Sequence, residues 1–191
     1  MCADCPARLA RDLDAAFPEF LSHHQDLVYG VALRMTRRPA DAEDLAQDAF
    51  IRAYRALQAY DRDRVNALHS RGWLVSIVAN LARNKARRKL PATAGLEVNP
   101  EARADDRSGP DQLAERREEA RLWRQRLDAL PRRYGQAVQL RHVDGLSYPE
   151  LAVALGKPLG TVKSDVHRGV QLLRRSMAHE AVGIESSEAR S

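Results

Sequence analysis

Residues 147–173, SYPELAVALGKPLGTVKSDVHRGVQLL, contain the signals for two short helices joined by a tight turn. Ser147 and Glu150 form an S-x-x-E capping box, which predicts a helix that starts there and ends at Gly156. The next four residues include a proline and a glycine, and Thr161 is the expected first residue of the second helix. Two helices joined in this way predict a helix-turn-helix.

The second of these helices has an apolar face and a polar face. Its apolar positions are Val162, Val166, Val170 and Leu173. The opposite, polar stripe consists of Thr161, Ser164, Asp165, Arg168, Gln171 and Arg175. The residues that flank this stripe are Lys163, His167 and Arg174. Polar side chains for base edges, bordered by cations for phosphates, are typical of a helix in the major groove. The pattern therefore predicts DNA binding, and the alternative is a helical hairpin with a solvated face.

Asp165 is an unusual residue for a helix that binds a polyanion. On the groove-facing stripe, its carboxylate could accept a hydrogen bond from the N4 amino group of a cytosine. Alternatively, Arg168 could neutralise it as an intrahelical ion pair three residues away. The first interpretation predicts that Asp165 alters which bases the helix prefers, and the second does not.

Upstream, residues 38–57, RPADAEDLAQDAFIRAYRAL, have helical periodicity, with start signals at Pro39 and Asp41. Its acidic stretch consists of Asp41, Glu43, Asp44, Gln47 and Asp48. These side chains have no His or Cys at metal-ligand spacing, so we interpret them as a docking face for a basic partner. The alternative is that they only stabilise the positive end of the helix dipole.

A further helical pattern, GWLVSIVANLARNKARRK, covers residues 72–89. Leu74, Ile77, Val78 and Leu81 form its predicted core stripe. A second stripe contains Trp73, Asn80, Asn84 and Arg87, together with the cations Arg83, Arg88 and Lys89. An aromatic ring, amides and cations suit a single-stranded nucleic acid, so this face could stabilise separated strands. The alternative is that Trp73 belongs to the core and the cations only solubilise the helix end.

The fold class predicted from these patterns is all-α, with two small helical domains joined by a flexible acidic linker. We expect an N-terminal extension at 1–16, a helical bundle at 17–90, a linker at 91–110, a helix-turn-helix domain at 111–178 and a disordered tail at 179–191. The linker has three prolines, two glycines and no apolar stripe. Basic residues predominate on either side of it, in a chain of formal net charge +5, which suggests two modules that face nucleic acid.

The two cysteines, Cys2 and Cys5, form a single CxxC at the N-terminus. Such a pair can supply half of a zinc site or a redox pair, and the nearest further ligands are His23 and His24. We interpret it as an inert or accessory part of a frayed terminus, and we expect no metal and no cofactor.

The sequence has no nucleophile–base pair, phosphate-binding loop or full metal-ligand set, so we expect no enzyme activity. It also has no run of eighteen apolar residues, and its first residues do not have the apolar run of a secretory signal. We therefore expect a cytoplasmic protein that does not insert into membranes.

Three segments, in order, resemble the motifs of an extracytoplasmic-function (ECF) sigma factor, from about residue 17 to residue 177. They are DAEDLAQDAFIRAYRAL, WLVSIVANLARNKARR and LPRRYGQAVQLRHVDGLSYPELAVALGKPLGTVKSDVHRGVQLLRR. The resemblance implies a factor that binds core RNA polymerase and promoter DNA and directs DNA melting and transcription initiation. It also implies an anti-sigma factor as a partner and a monomer as the active form.

The resemblance also implies roles for individual residues. Asp41, Glu43, Asp44, Gln47 and Asp48 would lie near the clamp helices of the largest polymerase subunit. Residues 61–71 and the following helix would recognise and melt the −10 element through Trp73, Asn80, Arg83, Asn84, Arg87 and Arg88, with Asn80 near an extruded base. The helix from Thr161 would read the −35 element through Thr161, Lys163, Ser164, Asp165, Arg168 and Gln171. The linker would lie within the polymerase, where an acidic tether could mimic nucleic acid.

The chain departs from the family pattern at two positions of this helix. The family often has arginine at the position of Asp165 and alanine at that of Gly169, where glycine costs about 1 kcal/mol of helix stability. The CADC start and the AHEAVGIESSEARS tail lie outside the pattern.

Two other functions are alternatives. One is a sigma-like decoy that binds a regulator protein and not DNA. The cations on the two polar stripes that are predicted to bind DNA argue against it. The other is a stand-alone helix-turn-helix regulator, which leaves the first domain and its acidic helix unexplained.

Overall fold

The computed structural model describes residues 5–89 and 110–188, with side chains described over 5–87 and 118–178. The helices are α1 (Cys5–Arg11), α2 (Leu13–Thr36), α3 (Pro39–Gln58), α4 (Arg62–Asn66), α5 (Ser70–Lys89), α6 (Pro110–Asp128), α7 (Arg132–Val138), α8 (Tyr148–Leu155) and α9 (Leu159–Glu188). A π-helical turn, Gln139–Val143, continues α7. Over the described ranges the chain contains helices and no strand, which confirms the all-α prediction.

Contacts divide the chain into two compact units, residues 1–101 with 152–156 and residues 102–151 with 157–191. The predicted linker lies outside the described residues except for its last position. Within the described part of the chain, no helix is long and apolar enough to cross a membrane.

In the first unit, α2, α3 and α5 pack against one another around a shared core. The helix α3 contributes small residues to this core, since Ala42, Ala49 and Ala53 are fully buried. Small side chains let helix backbones approach closely while larger residues fill the remaining space. The larger buried residues include Phe20 and Val28 of α2, Leu45 of α3, and Leu74 and Val78 of α5. The core stripe predicted for α5 is thus largely confirmed, although Ile77 is half-buried and Val75 is buried in addition.

The segment between α3 and α5 is more ordered than its composition predicts. The predicted −10 segment, residues 61–71, contains the short helix α4, which the Asp61 carboxylate caps by accepting a hydrogen bond from the Arg64 amide at 2.8 Å. The next helix begins at Ser70, two residues before the expected start.

The N-terminal segment is also helical where a frayed terminus was predicted. Helix α1 contacts both α2 and α4. Its Cys5 and Leu9 side chains are buried, and Arg8 pairs with Glu19 of α2 at 2.5 Å. The prediction of a frayed terminus is therefore wrong from residue 5 onward.

In the second unit, α7 and α9 pack at close range. The core cluster consists of Leu127, Val138 and Leu173, with Leu130 and Val170 packed against it. A Cβ atom on Gly169 would lie 2.4 Å from Val138 Cγ2 and 3.2 Å from the Tyr134 carbonyl oxygen. The glycine therefore allows the close approach of the two helices. The sequence predicted only that glycine lowers helix stability at this position, and it did not predict this contact.

The helix-turn-helix has the predicted caps but a longer second helix. The Ser147 amide donates to Glu150 Oε2 at 2.7 Å, and Gly156 has the expected positive φ of 62°. Helix α9 begins at Leu159, two residues before Thr161, and continues to residue 188. It therefore includes most of the segment that was predicted to be a disordered tail.

Candidate nucleic-acid and protein interfaces

One side of α9 forms an exposed polar surface, which we call the groove face. Its members are Thr161, Lys163, Ser164, Arg168 and Gln171, and all five are exposed. The buried residues Val162 and Val166 hold the opposite side of the helix against the rest of the unit. Five of the six predicted −35 contacts therefore lie where DNA could reach them.

The sixth predicted contact, Asp165, lies on the inner side of the helix. It is 3% exposed, and its Oδ2 accepts a hydrogen bond from Lys157 Nζ at 2.8 Å. Arg133 Nε lies 3.6 Å from Oδ1. A buried carboxylate needs such partners, because its desolvation is otherwise very costly. The prediction that Asp165 faces the groove is therefore wrong. Its ion-pair partners within 4.0 Å are Lys157 and Arg133, and Arg168 adds a weaker Coulombic interaction with the carboxylate.

Tyr134 of α7 joins Arg133 to the groove face. Its hydroxyl accepts a hydrogen bond from Arg133 Nη2, and Arg168 Nη1 lies 3.5 Å from the same oxygen. The Arg133 guanidinium also lies 4.3 Å from the centre of the tyrosine ring. The hydrogen bond from Arg168 lowers the pKa of Tyr134, and the hydrogen bond from Arg133 lowers it further. The same bond to Tyr134 raises the pKa of Arg168. Arg133 and Tyr134 were not predicted as site residues, since no local spacing in the sequence relates them to α9.

A second aromatic ring, that of Tyr148 at the start of α8, contacts two cations. Lys163 Nζ lies 5.9 Å and the Arg141 guanidinium 5.0 Å from the centre of the Tyr148 ring. Arg141 also donates to the Leu146 carbonyl oxygen at 2.9 Å. Cation–π contacts of this kind orient the long side chain of Lys163 on the groove face.

On α3, four of the five predicted docking residues form an exposed acidic face. We define it as Glu43, Asp44, Gln47 and Asp48. Glu43 and Gln47 also lie on the rim of an apolar groove between α2 and α3. The groove walls include Phe17, Leu21, Tyr29, Phe50, Ile51 and Tyr54. A partner helix with basic residues at its edge would match both the groove and its rim.

The fifth predicted docking residue, Asp41, is used within the unit. Its side chain is 19% exposed, Oδ1 pairs with Lys85 Nζ of α5 at 2.9 Å, and Oδ2 lies 3.5 Å from Arg38 Nη1. The carboxylate ties α3 to α5 and is not part of the free acidic face. The placement of Asp41 among exposed docking residues is therefore corrected.

Along α5, the predicted −10 contacts form an exposed polar face. Asn80, Arg83, Asn84 and Arg87 are all exposed. The Arg83 guanidinium donates to Asn80 Oδ1 at 2.7 Å, and Arg87 donates to Asn84 Oδ1. The arginines therefore orient the amides that sequence analysis assigned to a base. The side chain of the sixth residue, Arg88, lies outside the described ones.

Trp73 is half-buried at the start of α5, next to Tyr60, which was not predicted as a site residue, and Arg64 of the predicted −10 segment 61–71. Its ring centre lies 6.1 Å from that of Tyr60, and the Arg64 guanidinium lies 3.6 Å above the Tyr60 ring. The order Arg64, Tyr60, Trp73 makes an aromatic and cationic surface where a base could stack. The one signal for Tyr60 was its aromatic side chain in a polar segment.

Three of the four residues considered for a zinc site, Cys5, His23 and His24, lie in the described part of the chain. Cys5 is buried in the first unit, where α1 packs against α2 and α4. His24 packs edge-on against the Phe20 ring with centres 4.6 Å apart, and His23 Nδ1 is bonded to the Glu19 carbonyl oxygen. No group of three potential ligands occurs among the residues that the structure describes. Cys2 lies outside them.

Comparison with known protein families gives two matches, one in each unit. The model of Sigma-70 region 2 matches residues 20–90, and that of Sigma-70, region 4, matches residues 120–173. The first match includes α3 and α5 with their polar faces, and the second includes α7, α8 and the groove face.

Curated relatives match over most of the chain. The ECF RNA polymerase sigma factor SigE of Mycolicibacterium smegmatis is 37% identical over 171 residues, which cover 86% of this chain and 63% of SigE. The ECF RNA polymerase sigma factor SigW of Bacillus subtilis is 32% identical over 171 residues, 85% of this chain and 89% of SigW. The chain thus spans less than two thirds of SigE but nearly the full length of SigW.

Solved structures share the fold at lower identity. CnrH, in complex with the cytosolic domain of CnrY, has a TM-score of 0.63 at 23% identity, covering 92% of this chain and 96% of that one. The sigma factor RpoE, in complex with the anti-sigma factor NepR from Bartonella quintana, has a TM-score of 0.57 at 19% identity, covering 85% and 96%.

Proposed function

Because the chain belongs to the extracytoplasmic-function (ECF) sigma factors, we propose that it binds core RNA polymerase and directs promoter recognition, DNA melting and transcription initiation. The observation that carries the proposal is the presence, in one chain, of two exposed DNA-type faces on different units. The cations Arg83, Arg87, Lys163 and Arg168 are all exposed, as DNA binding requires. A decoy that binds only a regulator protein would not need them.

The two faces suit different parts of a promoter. On the groove face, Thr161, Ser164 and Gln171 offer groups for base edges of a −35 duplex, while Lys163 and Arg168 reach phosphates. On α5, Asn80 and the Tyr60–Trp73 surface suit an unpaired −10 base, since stacking on an aromatic ring needs a base that has left the duplex, and an amide can then bond its Watson–Crick edge. This division of tasks assigns no chemical reaction to the chain itself.

The decisive test of the proposed function is transcription in vitro with core polymerase on a pool of genomic DNA fragments. Specific start sites that appear only with this protein would establish the activity and reveal the promoter sequence. Transcription that never depends on the added protein would contradict it.

The acidic face of α3 is the proposed site of polymerase docking. Asp44→Arg with Asp48→Arg is expected to weaken binding to core polymerase by about tenfold to a hundredfold, because like charges then meet across the interface. Both residues are exposed, so the fold should be retained. Binding is measured by fluorescence anisotropy without DNA.

Asp63→Arg is the matched control for this docking test, since it reverses an exposed carboxylate on α4. It is expected to leave polymerase affinity within about twofold, as surface substitutions away from an interface usually do. If the α3 variant binds as tightly as the Asp63 variant, the docking assignment is wrong. Asp41 is unsuitable for this test because its reversal would break the pair with Lys85.

Asn80 is the proposed contact to an extruded −10 base. Asn80→Ala is expected to slow open-complex formation about tenfold, because the energy of unstacking the base is no longer offset by the amide hydrogen bonds. Initial binding to closed duplex should change little. Permanganate reactivity of unpaired thymines reports opening, and gel shift at low temperature reports the closed complex.

Gln136→Ala is the control for this experiment, since it removes an exposed amide from α7 in the other unit. It should open promoter DNA at the wild-type rate. Equal opening rates for Asn80→Ala and Gln136→Ala would exclude the proposed role of Asn80.

A regulatory partner and a location accompany the function. The neighbour RpoE is bound to an anti-sigma factor, which supports an anti-sigma protein as a partner of this chain as well. An initiation factor acts where the polymerase is, so we place it in the cytoplasm.

A further inference from the structure

Three segments of the second unit meet beside the groove face. Arg133 and Tyr134 come from α7, Lys157 from the turn before α9, and Asp165 and Arg168 from α9 itself. Asp165 is buried, whereas the Arg133 side chain is 53% exposed and Arg168 is exposed. The buried carboxylate therefore anchors a cluster whose cationic ends are open to solvent.

The two arginines of this cluster are close to each other. Both approach the hydroxyl oxygen of Tyr134, which places two positive charges around one neutral group. At such a separation like charges repel, and the repulsion is relieved when an anion lies between them. Asp165 cannot supply this relief fully, because Lys157 Nζ already occupies Oδ2 at 2.8 Å. With one carboxylate and three cations, the cluster keeps an excess of positive charge.

We propose that Arg133 and Arg168 form a clamp for one backbone phosphate of the promoter duplex at the edge of the −35 element. Two guanidinium groups can offer several charge-assisted hydrogen bonds to phosphate oxygens. Tyr134 and Asp165 act as positioning residues, the first through its hydroxyl and the second through its ion pair with Arg133. This inference rests on the proposed function, and it extends the DNA-contacting surface from the helix-turn-helix to α7.

DNA is the occupant that the position of the clamp favours. Arg168 belongs to the groove face and approaches the same Tyr134 hydroxyl as Arg133, so a phosphate that contacts Arg168 from a duplex on that face would also be near Arg133. A phosphate contact also differs from base reading in its effect, since it adds affinity on every sequence and depends on salt.

The test measures binding of the holoenzyme, full-length protein with core polymerase, to a promoter duplex between 50 and 200 mM KCl. Arg133→Ala is expected to reduce the slope of log K against log salt by about one. Its affinity deficit should then shrink by about 3.5-fold between the two salt concentrations. The deficit should be the same on a duplex with an altered −35 sequence.

Arg132→Ala is the matched control, because it removes the same charge from the neighbouring exposed residue. It should keep the wild-type slope, and so should Arg133→Lys, which retains a cation. Methylphosphonate substitution of single phosphates should identify one position at which the wild type loses affinity and Arg133→Ala does not.

An unchanged salt slope for Arg133→Ala, with no such phosphate position, would overturn the clamp. If the wild-type holoenzyme itself binds without any dependence on the −35 sequence, the proposed function fails instead. The two failures are therefore distinguishable within one experiment.

Discussion

Asp165→Lys is expected to destabilise the second unit by about 3–5 kcal/mol, because it replaces a buried paired carboxylate by a further cation. The new ammonium group would face Lys157 and Arg133, which now lie 2.8 and 3.6 Å from the Asp165 oxygens. Urea unfolding followed by the fluorescence of Trp123, in a Trp73→Phe background, reports on this unit because the chain has two tryptophans. Promoter binding that depends on the −35 element should be lost together with the fold.

Two further variants separate charge from position. His167→Lys adds a cation at an exposed position of the same helix and should change stability by less than about 0.5 kcal/mol. Combining Asp165→Lys with Lys157→Asp exchanges the charges of the pair and should recover part of the lost stability. If Asp165→Lys is as stable as the wild type and only changes base preference, Asp165 reads DNA after all.

Gly169→Ala is expected to destabilise the second unit by about 1–2 kcal/mol, although alanine is the better helix former. Overpacking a core costs about 1–3 kcal/mol, which exceeds the gain of up to about 1 kcal/mol from helix propensity. The added Cβ would lie 2.4 Å from Val138 Cγ2, and Val138 is a stiff, β-branched and buried side chain. The same urea unfolding experiment measures the change.

Gly160→Ala supplies the comparison on the same helix. A Cβ at Gly160 meets no atom within 4 Å, so this variant should be stabilised by up to about 1 kcal/mol through propensity alone. Opposite signs for the two glycines are the expected result. Stabilisation by Gly169→Ala would mean that α7 and α9 do not need their close approach.

The candidate site was predictable from the sequence where its residues share one helix. The exposure of Thr161, Ser164 and Gln171 follows from their spacing against a buried apolar stripe. The same reasoning placed Asp165 on the exposed polar stripe, but Asp165 lies next to the buried residue Val166 and is itself buried. Whether such a residue is exposed depends on the neighbouring helix, which in this unit is α7.

Partners from distant segments explain the other differences. Asp41 has the spacing of a surface acid, but Lys85 lies opposite it, 44 residues later in the chain. Arg133 and Tyr134 have no spacing relation to Arg168, yet they border the groove face. Charge and periodicity identify which side chains are able to form an ion pair or a hydrogen bond. They do not identify which of these side chains are in contact in the folded chain.

The sequence by itself determined the periodic parts of α3, α5 and α9 and the caps and turn of the helix-turn-helix, because these depend on interactions within about four residues. It also determined the family, through motifs that are each contained in one helix or turn. The tertiary structure alone decided that Asp165 is an internal anchor, that Asp41 holds α5, and that Gly169 is a contact point for α7. These outcomes depend on distances between side chains far apart in the chain, and only the packed fold sets those distances.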